Sequence, residues 1–203
     1  MPIGLLLITS IPTTIGVCEA LSAQKKADAA AKEKVKFNLV VSVSLDGLDP
    51  VDCFCVLEGG NLWIDHPSFP VAGHKFTGYH FMYPSEAQQL GLVSTIADDP
   101  PMLNWIFVDE DSGMVRHGSR QDTLGGHTVG PWYWSDDEQW LTLESDSSSF
   151  IAVHVDKGWA IAWNKDARFT NGSEAQGRKW IPVMLKRRPI LGMDSRYVKG
   201  ANG

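Results

Sequence analysis

In the stretch Arg116-His117-Gly118-Ser119-Arg120-Gln121-Asp122, four side chains have the right chemistry to act on a small molecule. An imidazole can exchange a proton near neutral pH. Two guanidinium groups can steady an anion or a polarised carbonyl, and a carboxylate can orient the imidazole. His127 and His154 are further imidazoles that a fold could bring to this stretch. The competing reading is a surface loop whose arginines pair with the many acids nearby. His154 stands among Ala152, Ala160 and Ala162 in an expected hairpin. Small side chains there leave room for a ligand, or the imidazole is a satisfied core residue. Trp132 and Trp134 are bracketed by Gly130-Pro131 and an acidic turn, which predicts open rings; Trp105, in the apolar run WIFV, reads as core. With Trp140 these rings could form an aromatic surface of the kind used for sugars or peptides. The ligand-binding candidates are therefore Arg116, His117, Arg120, His154, Trp132 and Trp134.

Other chemistries lack their residues. His66, His74 and His80 match no zinc spacing, so no metal is expected. Asp109-Glu110-Asp111-Ser112-Gly113 begins like a calcium loop, but Arg120 stands where a bidentate Glu is needed. Gly125-Gly126 is not followed by the Lys and helix of a phosphate loop, and no Gly-x-Ser-x-Gly elbow occurs. No cofactor is expected.

Charge is unevenly spread along a chain of net charge −6. Residues 86–156 carry 13 Asp and Glu against Arg116 and Arg120, with no Lys. Residues 25–36 carry five Lys, and 157–203 carry ten Lys and Arg. An acidic middle does not neutralise phosphates, so no nucleic-acid partner is expected. The acids read instead as hairpin-turn residues that keep sheet edges soluble. Lys186-Arg187-Arg188-Pro189 resembles a nuclear import patch but reads better as a segment balancing the acidic middle. Cys18, Cys53 and Cys55 are odd in number, and a bridge between Cys53 and Cys55 on one strand face would be strained. Buried free thiols in a reducing, cytoplasmic compartment are expected.

Most of the elements that must hold these groups are strands. Phe37–Leu45 alternates and is β-branched, ending at Asp46-Gly47. Cys53–Leu57 and Leu62–Asp65 flank a Gly-Gly turn; Asn104–Val108 and Met114–His117 flank Asp109–Gly113. Tyr79–Tyr83, Leu92–Ile96 and Gln139–Glu144 read as strands, and Lys179–Leu185 as a last strand or strap. Single helical turns are expected at Ser85–Leu90 and Ser135–Glu138. Phe150–Trp163 predicts a hairpin with a three-residue turn, Asp156-Lys157-Gly158. Closing it at Val155 opposite Trp159 pairs Val153 with Ile161 and Ile151 with Trp163. One face is then Ile151, Val153, Val155, Trp159, Ile161 and Trp163, and both faces shun water. Hairpins near 53–65, 104–117 and 150–163 recur at roughly 50-residue intervals. The expected fold is mainly β: a single antiparallel β-barrel or sandwich with an N-terminal helix. Its parts are an apolar segment and helix over 1–36, the β domain over 37–185 and a basic tail over 186–203. The uncharged residues 1–18 admit three readings: a segment packed on the fold, membrane contact, or a cleaved signal that would make the protein secreted.

Two passages carry a resemblance. PPMLNWIFVDEDSGMVRHGSRQDTLG running into VGPWYWSDDEQWLTLE, and the opening IPTTIGVCEALSAQKK, resemble a group of uncharacterised proteins from filamentous fungi. The likeness extends to the closing LGMDSRYVK and implies a fungal setting, with accessory proteins of metabolite pathways as one home. It brings no activity or site residue. Two functions follow from the residues. The first is a non-catalytic ligand-binding or protein-interaction module, with a small molecule or a protein as partner. The alternative is a small cofactor-free accessory enzyme, an isomerase or cyclase, with His117 or His154 as acid or base and Arg116 or Arg120 steadying charge.

Overall fold

The computed structural model describes residues 35–44, 49–98, 101–165, 167, 169 and 179–190. The chain divides into two units, Met1–Val35 and Lys36–Gly203, and everything below concerns the second. The expected N-terminal helix, the alternatives for residues 1–18, Cys18 and the turn at 46–47 lie outside the described residues.

Among the described residues, fourteen strands fall into three lobes. The first holds β1 (Phe37–Val43), β2 (Val51–Glu58), β3 (Asn61–Asp65), β4 (His74–Lys75) and β5 (Gly78–Met82). The second holds β6 (Leu90–Asp98), β7 (Pro101–Val108), β8 (Val115–Gly118) and β9 (Trp132–Trp134). The third holds β10 (Leu141–Leu143), β11 (Phe150–Val155), β12 (Gly158–Trp163), β13 (Trp180–Pro182) and β14 (Leu185–Pro189). In each lobe the first and last strands are staves of a barrel and the second and third form a hairpin; β4 and β13 add to the hairpins of the first and third lobes by pairing with β2 and β11. β1 pairs with β5 and β14, β5 with β6, and β9 with β10, all antiparallel. β6 lies against β9, and Trp140 bridges to Lys186 to join the third lobe's first stave to its last. The ring β1-β5-β6-β9-β10-β14 is thereby completed, its β6–β9 step by packing rather than by a paired ladder. Gly130 allows β9 to approach β6: a Cβ there would stand 2.5 Å from the Leu90 carbonyl oxygen.

The three hairpins meet over one end of this barrel. Asn61 pairs with Arg116, Ile64 with Trp159, and Met114 with Ala162, so each hairpin touches the other two. Two matching hydrogen bonds tie the turns together: His117 N donates to Gly60 O at 3.0 Å, and Trp163 N donates to Gly113 O at 2.8 Å. The roughly 50-residue recurrence visible in the sequence is this threefold repeat.

The barrel interior is built from strand alternation. Leu39 and Val41 of β1, Leu92 of β6 and Leu141 and Leu143 of β10 point inward with Cys53, Cys55, Ile64, Ile106 and Ile161. Both thiols are free and buried, and burial pushes both above the ordinary cysteine range. A second cluster on the other side of the cap packs Trp63 and Val71 against Ile151, Val153, Ala160 and Ala162.

Both faces of the Phe150–Trp163 hairpin are buried, but its register differs by one from the expected pairing. Val155 stands opposite Gly158, Val153 opposite Ala160, and Phe150 opposite Trp163. The turn is thus the two-residue Asp156-Lys157. Phe150, Ala152, Trp159, Ile161 and Trp163 face the main core, whereas Ile151, Val153, Ala160 and Ala162 face the second cluster. This register sets large side chains opposite small ones, Ile161 against Ala152 and Val153 against Ala160.

Other expectations shift as well. Ser85–Leu90 and Ser135–Glu138 are turns, not helix, and the one described helical element is the 3-10 turn Gln121–Leu124. Lys186, Arg187 and Arg188, assigned from composition to a tail, lie in β14 and pair with Val40, Leu39 and Asn38 of β1. Among the described residues no helix is long and apolar enough to cross a membrane.

Candidate functional site

β8 brings Arg116 and His117 beside the turn of the first hairpin, and the chain then turns through Gly118 into the 3-10 element. Arg116, His117, Ser119, Arg120 and Asp122 each have a structural partner. Arg116 Nη1 lies 3.3 Å from Asp109 Oδ2. Burial works against that carboxylate, but the Ser112 hydroxyl and amide and the Arg116 guanidinium outweigh it and hold its pKa below the ordinary range. Asn104 Nδ2 stands 3.0 Å from His117 Nδ1, and His117 Nε2 is buried without a partner. Burial first, then Arg116, lowers the His117 pKa, against a raising effect of Glu58. Asp122 does not orient the imidazole. It accepts from Ser119 N at 2.7 Å and from Ser119 Oγ at 2.8 Å, and those bonds hold its carboxyl low. Arg120 donates to the Pro84 carbonyl at 2.9 Å. Thr123 donates to Arg120 O, and its hydroxyl lies 2.6 Å from the Tyr83 hydroxyl. The stretch is therefore pinned to the fold at several points. Its imidazole and its carboxylate serve different partners.

The remaining candidates are dispersed. His154 is half-buried, with its ring 5.1 Å from Trp159 and 5.6 Å from Phe69. His127 stacks on Phe107 at 5.1 Å and accepts from Glu110 N. Trp132, expected to be open, is 1% exposed and stacks on Phe150 inside the barrel. Inward alternation on β9 forces this, because Trp132 stands opposite the buried Leu143. Trp134 also points inward, at the end of the barrel away from the cap, and stays half-buried. Trp105 is half-buried on the outer face against Tyr83, with ring centroids 4.9 Å apart.

A groove of about 540 Å³ that the candidate set did not include lies on the third lobe. Ser148, Ser149, Ile151, Asn164, Trp180 and Pro182 line it. β13 positions the half-buried Trp180 opposite Val153 of β11. The opposite rim is held by local bonds. Ser148 donates through N and Oγ to Asp146 at 2.8 Å, and the Asn164 amide exchanges two bonds with the Phe169 backbone at 2.9 and 3.1 Å. The lining thus combines an indole with two hydroxyls that donate to Asp146 and can still act as acceptors. The signal in the sequence was weak: Trp180 stands alone in a basic stretch, far from Ser148 and Ser149.

A stave, a hairpin and a stave, repeated threefold to give six staves closed at one end by three hairpins, define a β-trefoil. A model of the fungal beta-trefoil domain family matches residues 16–191, which include all fourteen strands. The chain belongs to that family, and the fungal setting implied by the resemblance is shown with it. No curated protein and no solved structure matches the chain.

Proposed function

We propose that this chain is a non-catalytic module that binds a small, hydroxyl-rich or peptide-like ligand in the groove beside Trp180. The observation that carries this reading is the lining itself: the half-buried Trp180 indole shares the groove with the Ser148 and Ser149 hydroxyls, both bonded to Asp146. A ligand gains stacking area and hydrogen bonds there without ordering the protein further. The commitments of Arg116, His117, Arg120 and Asp122 to structural partners support the non-catalytic reading over an isomerase or cyclase. A thermal-shift and tryptophan-fluorescence screen of oligosaccharides and short peptides tests it. At least one class should raise the melting temperature saturably in the native protein and not in Trp180→Ala. A screen in which no class binds, or a shift that survives Trp180→Ala, refutes the groove as the ligand site.

A further inference from the structure

The three hairpins superimpose residue by residue through their contacts at the cap. Asn61 meets Arg116, Met114 meets Ala162 and Ala160 meets Trp63, so the next residues, Leu62, Val115 and Ile161, are equivalent. Their ladder partners are Leu57, Val108 and Ala152. Three residues earlier in each lobe stand Phe54, Trp105 and Ser149. A second set of bonds gives the same alignment. Phe76 N donates to Cys55 O at 2.9 Å and Val183 N donates to Phe150 O at 3.0 Å, each one residue beyond Phe54 or Ser149.

Cys55, Ile106 and Phe150 point into the core, so the residues before them face outward. Two lobes fill that outward position with an aromatic ring. Lys75 Nζ lies 3.9 Å from the centroid of the Phe54 ring. Trp105 packs against the cluster of Tyr83, Phe107 and Val129. By the same alignment Phe107 corresponds to Ile151, and Lys75 and Val129 correspond to Pro182. In the third lobe the position is Ser149, and there the surface opens into the groove of about 540 Å³ that Ile151 and Pro182 also line. The backbone is unchanged at this point: Asn164 N still donates to Ser149 O at 2.8 Å. Only the side chain is shorter. The groove is a ring site whose ring the chain does not supply.

We propose that the groove takes an aromatic ring bearing a hydrogen-bond donor, as on the tyrosyl side chain of a peptide. The inference rests on the reading of the groove as the ligand site and narrows the ligand to an aromatic one. The ring lies on Ile151 and Pro182, as Trp105 packs with Phe107 and Val129 in the second lobe, and Trp180 forms a further wall. The volume suffices, since an apolar cavity of about 150 Å³ holds benzene. Ser148 and Ser149 donate to Asp146, so toward a ligand their hydroxyls are acceptors. A phenol O–H meets that requirement. None of the lining side chains is charged, which suits an uncharged ring.

N-acetyltyrosinamide is the probe, with N-acetylleucinamide and maltose as the aliphatic and hydroxyl-rich controls. Calorimetry should show saturable binding of the tyrosyl compound and at least about tenfold weaker binding of the leucyl one. Ser149→Phe supplies from the chain the ring that the first lobe carries. It should keep a cooperative melt and bind the tyrosyl compound at least about tenfold more weakly. In the native protein, nuclear Overhauser contacts between the Ile151 methyl groups and the tyrosyl ring protons should locate the ring without any substitution. Their absence at saturation, or an unchanged affinity in folded Ser149→Phe, would overturn the proposal. Maltose binding that is lost in Trp180→Ala, with the tyrosyl compound inert, would overturn the aromatic ligand and leave the groove as the ligand site. Failure of every probe would remove both.

Discussion

His80 is neutral in the folded protein. Burial, and after it the Arg187 charge, push its pKa from 6.5 down to about 4. Between those values the unfolded chain binds a proton that the folded chain refuses. Stability is therefore fully present above 6.5 and is lost as pH falls toward 4. A shift of this size corresponds to about 3 kcal/mol between the two ends of the window. His80→Leu would complete the apolar layer beside Leu92 and remove both the titration and the unpaired nitrogen. Chemical denaturation from about pH 7.5 to about pH 4.5 should show the leucine variant at least as stable as the native protein at the upper end. Its advantage should then widen as pH falls. His117 also titrates low but is present in both proteins, so the difference isolates His80. Parallel curves would mean that residue 80 is not held neutral.

At the level of strands, the β11–β12 ladder shows where the sequence was legible and where it was not. Ala160 is fully buried, opposite Val153 on one side and Trp63 on the other. Ala160→Leu should cost about 1–3 kcal/mol in urea denaturation, because the second cluster has no slack for three more carbons. A neutral substitution would place Ala160 at an open surface. The strands themselves could be read from alternation and from turn residues: Gly59-Gly60 and Asp109–Gly113 close their hairpins as expected. The register of Phe150–Trp163 could not. A slip of one residue exchanges the two faces, and polar residues on one face are what usually forbid it. Here both faces are buried, so the pattern carried no such mark and only large-against-small packing decides. The meeting of His80, Trp134 and Arg187 on the last staves of the three lobes is hidden for a different reason. By sequence His80 reads as an imperfect metal ligand and Arg187 as part of a basic run. Only closure of the barrel makes them neighbours of Trp134, and three equivalent positions filled by three unlike residues leave no repeat to detect.

For the molecule as a whole, closure means that no lobe completes a core alone. The last stave of each lobe pairs with or lies against the first stave of the next: β5 with β6, β9 with β10, and β14 with β1. The final pairing joins Phe37 to Pro189 and Val41 to Leu185, contacts between opposite ends of the β domain. Their loop-closure entropy is offset only when the other staves are in place to share the buried core. A chain ending at Met184 keeps the three hairpins of the cap but lacks β14. It uncovers one edge of β1, removes Leu185 and Arg187 from the barrel, and exposes Leu39 and Val41, which are fully buried in the closed ring. Local pairing in the hairpins survives that loss, whereas the shared core does not. The shortened chain should therefore retain β-type far-ultraviolet dichroism, bind a hydrophobic dye and unfold without a cooperative transition. If it instead unfolded in one sharp step at a native-like midpoint, β14 would be an accessory strap and the barrel would close through five staves.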